Sequence, residues 1–360
     1  MTSTQTVAPS ALATMNEQVV DSILVFLDLE DVFTVASTSR GMRNALLESS
    51  IYWRHVNIHN TSSSCLRRLI PFAPRIRHLT LQKSNASEEA WIHFARHTKD
   101  VRVLDVSGSK HFTETALAAF ADCNSSTLSE VYADNCVYVE SLASLAQCAA
   151  GLRTLSFNRC RLLLTSDVLD LIGQTPYLHV LNLKGCPKIN PVSILSVVFA
   201  SCLQLRTLAL GGSGRFMKDT NQHLSAAFSQ DNMLALESLD ISCSNPFGSR
   251  SPLSDDGLLP LLRSAPYLKA LYLKGHSNLS RAVLDTLPRG LKILDLTGCT
   301  QLTANVEALS ELKQLEELVM YSCPNVTDTT LHVLKGSNTN LIKVDFDRCS
   351  VSSHDQQVFA

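Results

Sequence analysis

Apolar residues recur along most of the chain in one short frame. In Leu178-His179-Val180-Leu181-Asn182-Leu183-Lys184-Gly185-Cys186 the first, fourth and sixth positions are leucine and the ninth is cysteine. The frame returns at Leu152, Leu291, Leu315 and Leu341, and weaker copies start at Ile76, Val101, Leu128, Leu205, Leu236 and Leu268. That makes eleven copies, with start-to-start spacings of 25, 27, 24, 26, 27, 31, 32, 23, 24 and 26 residues. Alternating apolar positions predict a strand with one buried face, because successive side chains of an extended chain point to opposite sides. Between strands the apolar spacing lengthens. Phe112-Thr113-Glu114 precedes Leu117 and Phe120, Leu253-Ser254-Asp255 precedes Leu258, Leu261 and Leu262, and Val326-Thr327-Asp328 precedes Leu331 and Leu334. Each is a capping residue ahead of a helical stripe. A unit of strand, turn, helix and return cannot bury its apolar side alone, so neighbours must stack. The prediction is an α/β solenoid over residues 76–350: a horseshoe with a parallel concave sheet of eleven strands and convex helices.

The ninth position holds Cys136, Cys160, Cys186, Cys299, Cys323 and Cys349. A small thiol suits a strand end that turns inward and behaves there as a modest apolar group. These cysteines therefore read as packing residues, not as a metal or redox ladder. The frame, its ninth-position cysteine and the Thr-Asp that follows resemble the cysteine-containing subclass of leucine-rich repeats, whose period is ~20–29 residues. The total of 11 cysteines is odd and no C-x-x-C pair occurs, which argues against a disulfide scaffold or zinc site and for a reducing compartment, cytoplasmic or nuclear.

Residues 15–55 depart from the frame. Val19, Val20, Ile23, Leu24 and Leu27 form one helical stripe, and Val32, Val35 and Ala36 a second, with Asp28 placed to cap it. So short a segment builds a small core and leaves apolar surface for a partner or for the first repeat. The segment resembles an F-box. Met15-Asn16 stands at the opening Leu-Pro, Leu27-Asp28-Leu29-Glu30-Asp31-Val32 matches the connector, Thr38-Ser39 replaces Val-Cys, Met42 replaces the first Trp, and Tyr52-Trp53 matches the closing pair. An F-box followed by cysteine-type repeats is the order of the F-box/leucine-rich-repeat family, the substrate receptors of Skp-cullin-F-box ubiquitin ligases. The resemblance implies a Skp-type adaptor and a cullin as partners, with Met15, Val19, Val20, Ile23, Leu24, Leu27, Leu29 and Val32 at the adaptor surface and a protein substrate on the repeats. Similar proteins also serve outside ligases, as axonemal or cytoskeletal subunits or as regulators of the mitotic-exit-antagonist type. A plainer role, compatible with the first, is a cap over the end of the solenoid. Residues 1–14 read as a disordered leader, 56–75 as a linker or first-repeat cap, and 351–360 as a tail.

Composition narrows the choice. Charged residues are 18% of the chain, below the usual ~25%, as suits a long shared interior. The formal net charge of -2 steers the chain to neither nucleic acid nor a membrane surface, and no apolar stretch reaches the ~20 residues of a membrane span. The signatures G-x-x-x-x-G-K-[ST], H-E-x-x-H and G-x-S-x-G are missing. Gly211-Gly212-Ser213-Gly214 reads as an insertion turn. His55 and His59 alternate with Val56 and Ile58 as surface residues of a strand, and Asp345 and Asp347 as exposed carboxylates on one strand face. No catalytic residue, cofactor or metal ligand is expected.

Recognition is expected on the outward strand positions, the third, fifth and seventh of each frame. Tyr132, Tyr272 and Tyr321 lie in otherwise polar rows, where a tyrosine anchors a partner and still tolerates water. Ten strand steps of ~4.8 Å give a face on the order of 48 Å long. Charge along it is expected to be bipolar, from Arg77, Arg102, Arg153 and Arg206 in early frames to Asp295, Glu316, Glu317, Asp345 and Asp347 in late ones. The two longest spacings insert residues 211–220 and 244–253 after consecutive strands. Their Phe216 and Phe247, flanked by Arg215, Lys218 and Arg250, are expected to form a lip over Tyr272 that grips the substrate.

Overall fold

A computed structural model describes residues 29–38, 40, 43–44, 46, 52–228, 233–243, 253–302 and 306–352. The chain divides into two compact units, Met1–Cys136 and Val137–Ala360. In the first, helix α1 (Leu29–Thr38) precedes the parallel strands β1 (His55–His59), β2 (His78–Gln82), β3 (Val103–Asp105) and β4 (Glu130–Tyr132), which pair in chain order. Helices α2 (Ser63–Leu69), α3 (Glu88–Ala95) and α4 (Glu114–Cys123) connect them. The second unit pairs β5 (Thr154–Ser156), β6 (Val180–Asn182), β7 (Thr207–Ala209), β8 (Ser238–Asp240), β9 (Ala270–Tyr272), β10 (Ile293–Asp295), β11 (Glu317–Val319) and β12 (Lys343–Asp345), again parallel and in order. Its connecting helices are α5 (Thr165–Ile172), α6 (Pro191–Ser201), α7 (Thr220–Ala227), α8 (Asp255–Ser264), α9 (Arg281–Thr286), α10 (Val306–Ser310) and α11 (Asp328–Ser337).

The described residues thus hold twelve strands, one more than the frame predicts. The extra strand is β1, in register with β2 through His55↔His78, Asn57↔Thr80 and His59↔Gln82. A repeat therefore begins at residues 53–61, overlapping the stretch 56–75 that was expected to be a linker or first-repeat cap. Its frame is Trp53, Val56, Ile58 and Thr61, which carries the apolar alternation without a single leucine.

The first, fourth and sixth positions fill the core as predicted: Leu104 and Val106, Leu181 and Leu183, and Leu294 and Leu296 are all buried. The predicted caps Thr113, Ser254 and Thr327 immediately precede α4, α8 and α11, and the Thr113 hydroxyl accepts from the Ala116 amide at 3.3 Å.

How each strand ends is the feature that repeats most faithfully. The eighth residue is left-handed in eleven of the twelve repeats, at Asn60, Lys83, Gly108, Asn135, Arg159, Gly185, Gly212, Gly275, Gly298, Ser322 and Arg348, with φ between 56° and 82°. Five of these are glycine, the residue for which that conformation carries no steric cost. The reversal folds the ninth residue beneath the strand, where its amide and its side chain are both used. The Cys186 amide donates to the Leu183 carbonyl within its own repeat at 3.3 Å, and the Cys186 thiol donates to the Phe157 carbonyl of the preceding repeat at 3.0 Å. Cys299 reaches Leu273 at 3.3 Å, Cys323 reaches Leu296 at 3.2 Å and Cys349 reaches Met320 at 2.9 Å; in the first unit Cys136 reaches Val106 at 3.3 Å. Where cysteine is replaced, another donor takes over: Ser109 to Leu81 at 3.2 Å and Ser213 to Leu183 at 2.6 Å. The ninth position is therefore a buried donor site, and packing is only half of its role. Burial also raises the Cys136, Cys299, Cys323 and Cys349 thiols, Cys136 and Cys323 to about 12, and so holds them protonated.

α1 packs onto the first repeat. Val32, Leu46 and Trp53 are fully buried, Trp53 stacks on Phe72 at 3.7 Å, and Phe33 lies 6.3 Å from Phe72 with the Arg68 guanidinium over its ring. The Trp53 indole donates to the Leu46 carbonyl at 2.8 Å. This corrects the placement of Val32 on an adaptor surface: its face of α1 is consumed inside the unit. Met15, Val19, Val20, Ile23, Leu24 and Leu27 lie outside the described residues, and Leu29 is placed only as the first residue of α1.

A donor site and a packing site respond differently to substitution. Cys186→Ser keeps a donor under the Phe157 carbonyl, whereas Cys186→Val is more apolar but leaves that carbonyl one partner short, at a cost of about 1–3 kcal/mol. Urea denaturation is expected to rank the serine variant above the valine variant. The reverse order would reduce the ladder to apolar packing.

Candidate binding faces

In the first unit the outward rows are short and polar. The third positions are His55, His78, Val103 and Glu130, the fifth are Asn57, Thr80, Asp105 and Tyr132, and the seventh are His59, Gln82, Ser107 and Asp134. His55 and His78 stack with ring centroids 4.3 Å apart. Gln82 donates to the Asp105 carboxylate at 2.6 Å, and that carboxylate also accepts from the Ser107 amide at 3.0 Å. The half-buried Tyr132 donates its hydroxyl to Glu130 at 2.8 Å. Its ring faces the row while its polar end is committed to its own strand.

In the second unit Tyr272 is half-buried in register between Asp240 and Asp295. Burial, then the nearby Glu317 and Asp240 carboxylates, raise its pKa, so it presents a neutral phenol. Tyr321 lies under the Arg348 guanidinium at 5.5 Å. Lys184 reaches across two rungs to Asp240, Nζ to Oδ2 at 2.8 Å. Gly211, on the rung between, makes that reach feasible: a Cβ there would sit 2.3 Å from the Asp240 carboxylate. The Gly-Gly-Ser-Gly run therefore serves three ends. Gly211 clears the ion pair, Gly212 supplies the left-handed turn, and Ser213 supplies the ninth-position donor.

The acids of this face are structural. Asp240, Asp295 and Asp345 each accept from the backbone amide two residues on, at 3.0, 2.9 and 3.0 Å, and Asn182 does the same at 3.1 Å. Within the second unit, ion pairs between neighbouring rungs offset part of the bipolar charge expected along the frames. Glu237 lies between Arg206 at 3.5 Å and Lys269 at 2.6 Å, Lys292 meets Glu316 at 2.6 Å, and Lys343 meets Glu317 at 3.1 Å.

Of the two inserted loops, only the first is described. Arg215 and Lys218 are exposed, while the Phe216 ring stands edge-on to His276 at 5.0 Å. The loop is thus anchored on the repeat that carries Tyr272. Phe247 and Arg250 lie outside the described residues. His276 escaped the sequence reading, although its position marks it: it is the ninth residue of its frame, where the other repeats place Cys, Ser or Thr. It donates from Nε2 to the Ile241 carbonyl at 2.8 Å, since a carbonyl only accepts, and this leaves Nδ1 to accept the Cys243 thiol at 3.6 Å. Among the described residues there is no group of three or more metal-ligating side chains and no helix long and apolar enough to cross a membrane.

Burial lowers the His276 pKa to about 4. The unfolded chain takes up this proton near the ordinary value of about 6.5. The stability contributed is therefore complete above about pH 6.5 and is lost as pH falls from there towards 4, by about 3 kcal/mol in all. His276→Ser, which keeps a donor, is expected to remove about 2–3 kcal/mol of the acid-side decline in urea titrations run at about pH 7 and pH 4.5. An identical decline in both proteins would show that the buried imidazole is not its source.

No protein-family model and no curated protein matches the chain. Solved structures do. Rad7 in its complex with Elc1 from yeast is 18% identical with a TM-score of 0.55, over 86% of this chain and 74% of that one. An internalin from Listeria monocytogenes is 15% identical with a TM-score of 0.57, over 99% of this chain and 97% of the other. At these identities the likeness concerns the fold, and with the strand frame and the ninth-position ladder it identifies this chain's fold as the leucine-rich-repeat solenoid.

Proposed function

We propose that the chain is a non-catalytic protein-binding subunit: the substrate-recognition component of a Skp-cullin-F-box type ubiquitin ligase, holding its target on the repeats. The observation that carries this reading is the order of its parts, an F-box-like segment at residues 15–55 directly followed by cysteine-type repeats. Rad7, a protein of the same fold, was solved in complex with a second protein, Elc1, which supports a binding role for this kind of scaffold. The packing of Val32, Phe33 and Leu46 into the first unit favours a second reading, a binding scaffold without a ligase, in which the segment serves only as a cap. The two differ in what Ile23 and Leu27 do.

Full-length tagged protein is expected to capture the Skp-type adaptor and cullin from cell extract, and Ile23→Asp with Leu27→Asp to reduce that capture by at least about tenfold. The melting transition of the repeats is expected to persist in the variant. No adaptor on the wild-type chain, under conditions where another F-box protein captures it, leaves the scaffold reading standing.

A further inference from the structure

The entrances to the first strands carry more positive charge than the neighbouring carboxylate neutralises. Arg54, Arg77 and Arg102 occupy the second position of three successive repeats. A single carboxylate, Asp100, serves two of them, at 2.7 Å from Arg77 and 3.5 Å from Arg102. Arg54 has no ion-pair partner among the described residues. The stacked pair His55 and His78 lies next to this row. The Arg77 and Arg102 side chains remain 37% and 52% exposed. In the second unit three basic second positions, Arg206, Lys269 and Lys292, each meet a carboxylate on a neighbouring rung, Glu237 or Glu316, so the repeat can neutralise charge at this position.

The charged groups facing His78 are His55 from β1, Arg77 at the entrance to β2, Arg102 at the entrance to β3 and Glu130 from β4. Burial and then His55 lower its pKa, Arg102 and Arg77 add to the lowering, and Glu130 alone opposes them. The local field is therefore positive, as the geometry requires.

We propose that this row, Arg54, Arg77 and Arg102 with His55 and His78, binds a short acidic peptide segment of a partner protein. Length and surroundings select that occupant. Three rungs at ~4.8 Å span about 10 Å, the reach of three or four extended residues. Beyond the row the face turns acidic with Glu130, Asp105 and Asp134, which repels a long polyphosphate chain. Within the row itself the two imidazoles stack on each other, which occupies one face of each as a platform for bases. Contacts this exposed are individually weak, so the strip contributes orientation and association rate more than total affinity. The inference holds whether or not residues 15–55 bind an adaptor.

The test is fluorescence anisotropy of a labelled tetraglutamate peptide titrated with the full chain at low salt. Arg54→Glu with Arg102→Glu is expected to weaken binding by at least about tenfold. Arg263→Glu with Lys335→Glu makes the same change in net charge on helices of the second unit and is expected to alter binding by less than about twofold. If the first pair of reversals fails to fold, Arg54→Gln is measured instead, with a loss of about threefold expected. Binding is also expected to strengthen from about pH 7.5 to about pH 6, and His78→Gln to flatten that dependence, because an anion on the strip favours the protonated ring. Equal weakening by both pairs of reversals overturns the proposal, as does tighter binding of an oligothymidylate of the same charge at the same arginines, which would assign the strip to nucleic acid.

Discussion

The structure depends on how each short strand is brought to an end. Outside β1 and β2 the strands are three residues long, and each must reverse beneath itself without leaving backbone groups unpaired in the interior. The left-handed eighth residue makes the reversal. The ninth then saturates the sixth-position carbonyls: the Leu296 carbonyl takes the Cys299 amide at 3.0 Å from its own repeat and the Cys323 thiol at 3.2 Å from the next. One donor per repeat thus ties neighbours together where the sheet's own ladder has run out. A thiol, a hydroxyl and an imidazole all satisfy it. This is why the position tolerates Cys, Ser and His, and why His276, although fully buried, remains neutral and hydrogen-bonded.

The outward face inherits its chemistry from that constraint. A strand of three residues leaves little room between its entrance and its turn, so fifth-position Asp and Asn are drawn into closing the turn and have little capacity left for acid–base work. What remains for a partner is the ring surface of Tyr272 and Tyr321, the exposed Arg215 and Lys218, and the charge surplus at the first strand entrances. The same account covers α1: Phe33 and Trp53 both pack on Phe72 and bury apolar surface of the first unit.

Much of this was legible in the residues, because a solenoid is nearly one-dimensional and each repeat restates the same local rule. Helix caps, strand positions and buried rows followed from spacing alone. β1 was read as a strand but not counted among the repeats, because Trp53, Val56 and Ile58 satisfy the rule with uncommon residues. The cysteines were placed correctly but given only an apolar role, since a thiol in a sequence does not disclose whether a carbonyl waits beside it.

The sequence by itself determined the repeat and the identity of its core, both of which depend on neighbours within about one period. The tertiary structure decided what depends on contacts between repeats. Lys184 and Asp240 are 56 residues apart and meet only because Gly211 leaves the intervening rung bare. Glu237 and Lys269 cancel because their rungs are adjacent, while Arg54 and Arg77 do not cancel because theirs carry the same sign. Val32 is a core residue because Phe33 and Phe72 draw its helix inward. Such pairings are set by which side chains arrive at one place in space, and a single repeat does not contain that information.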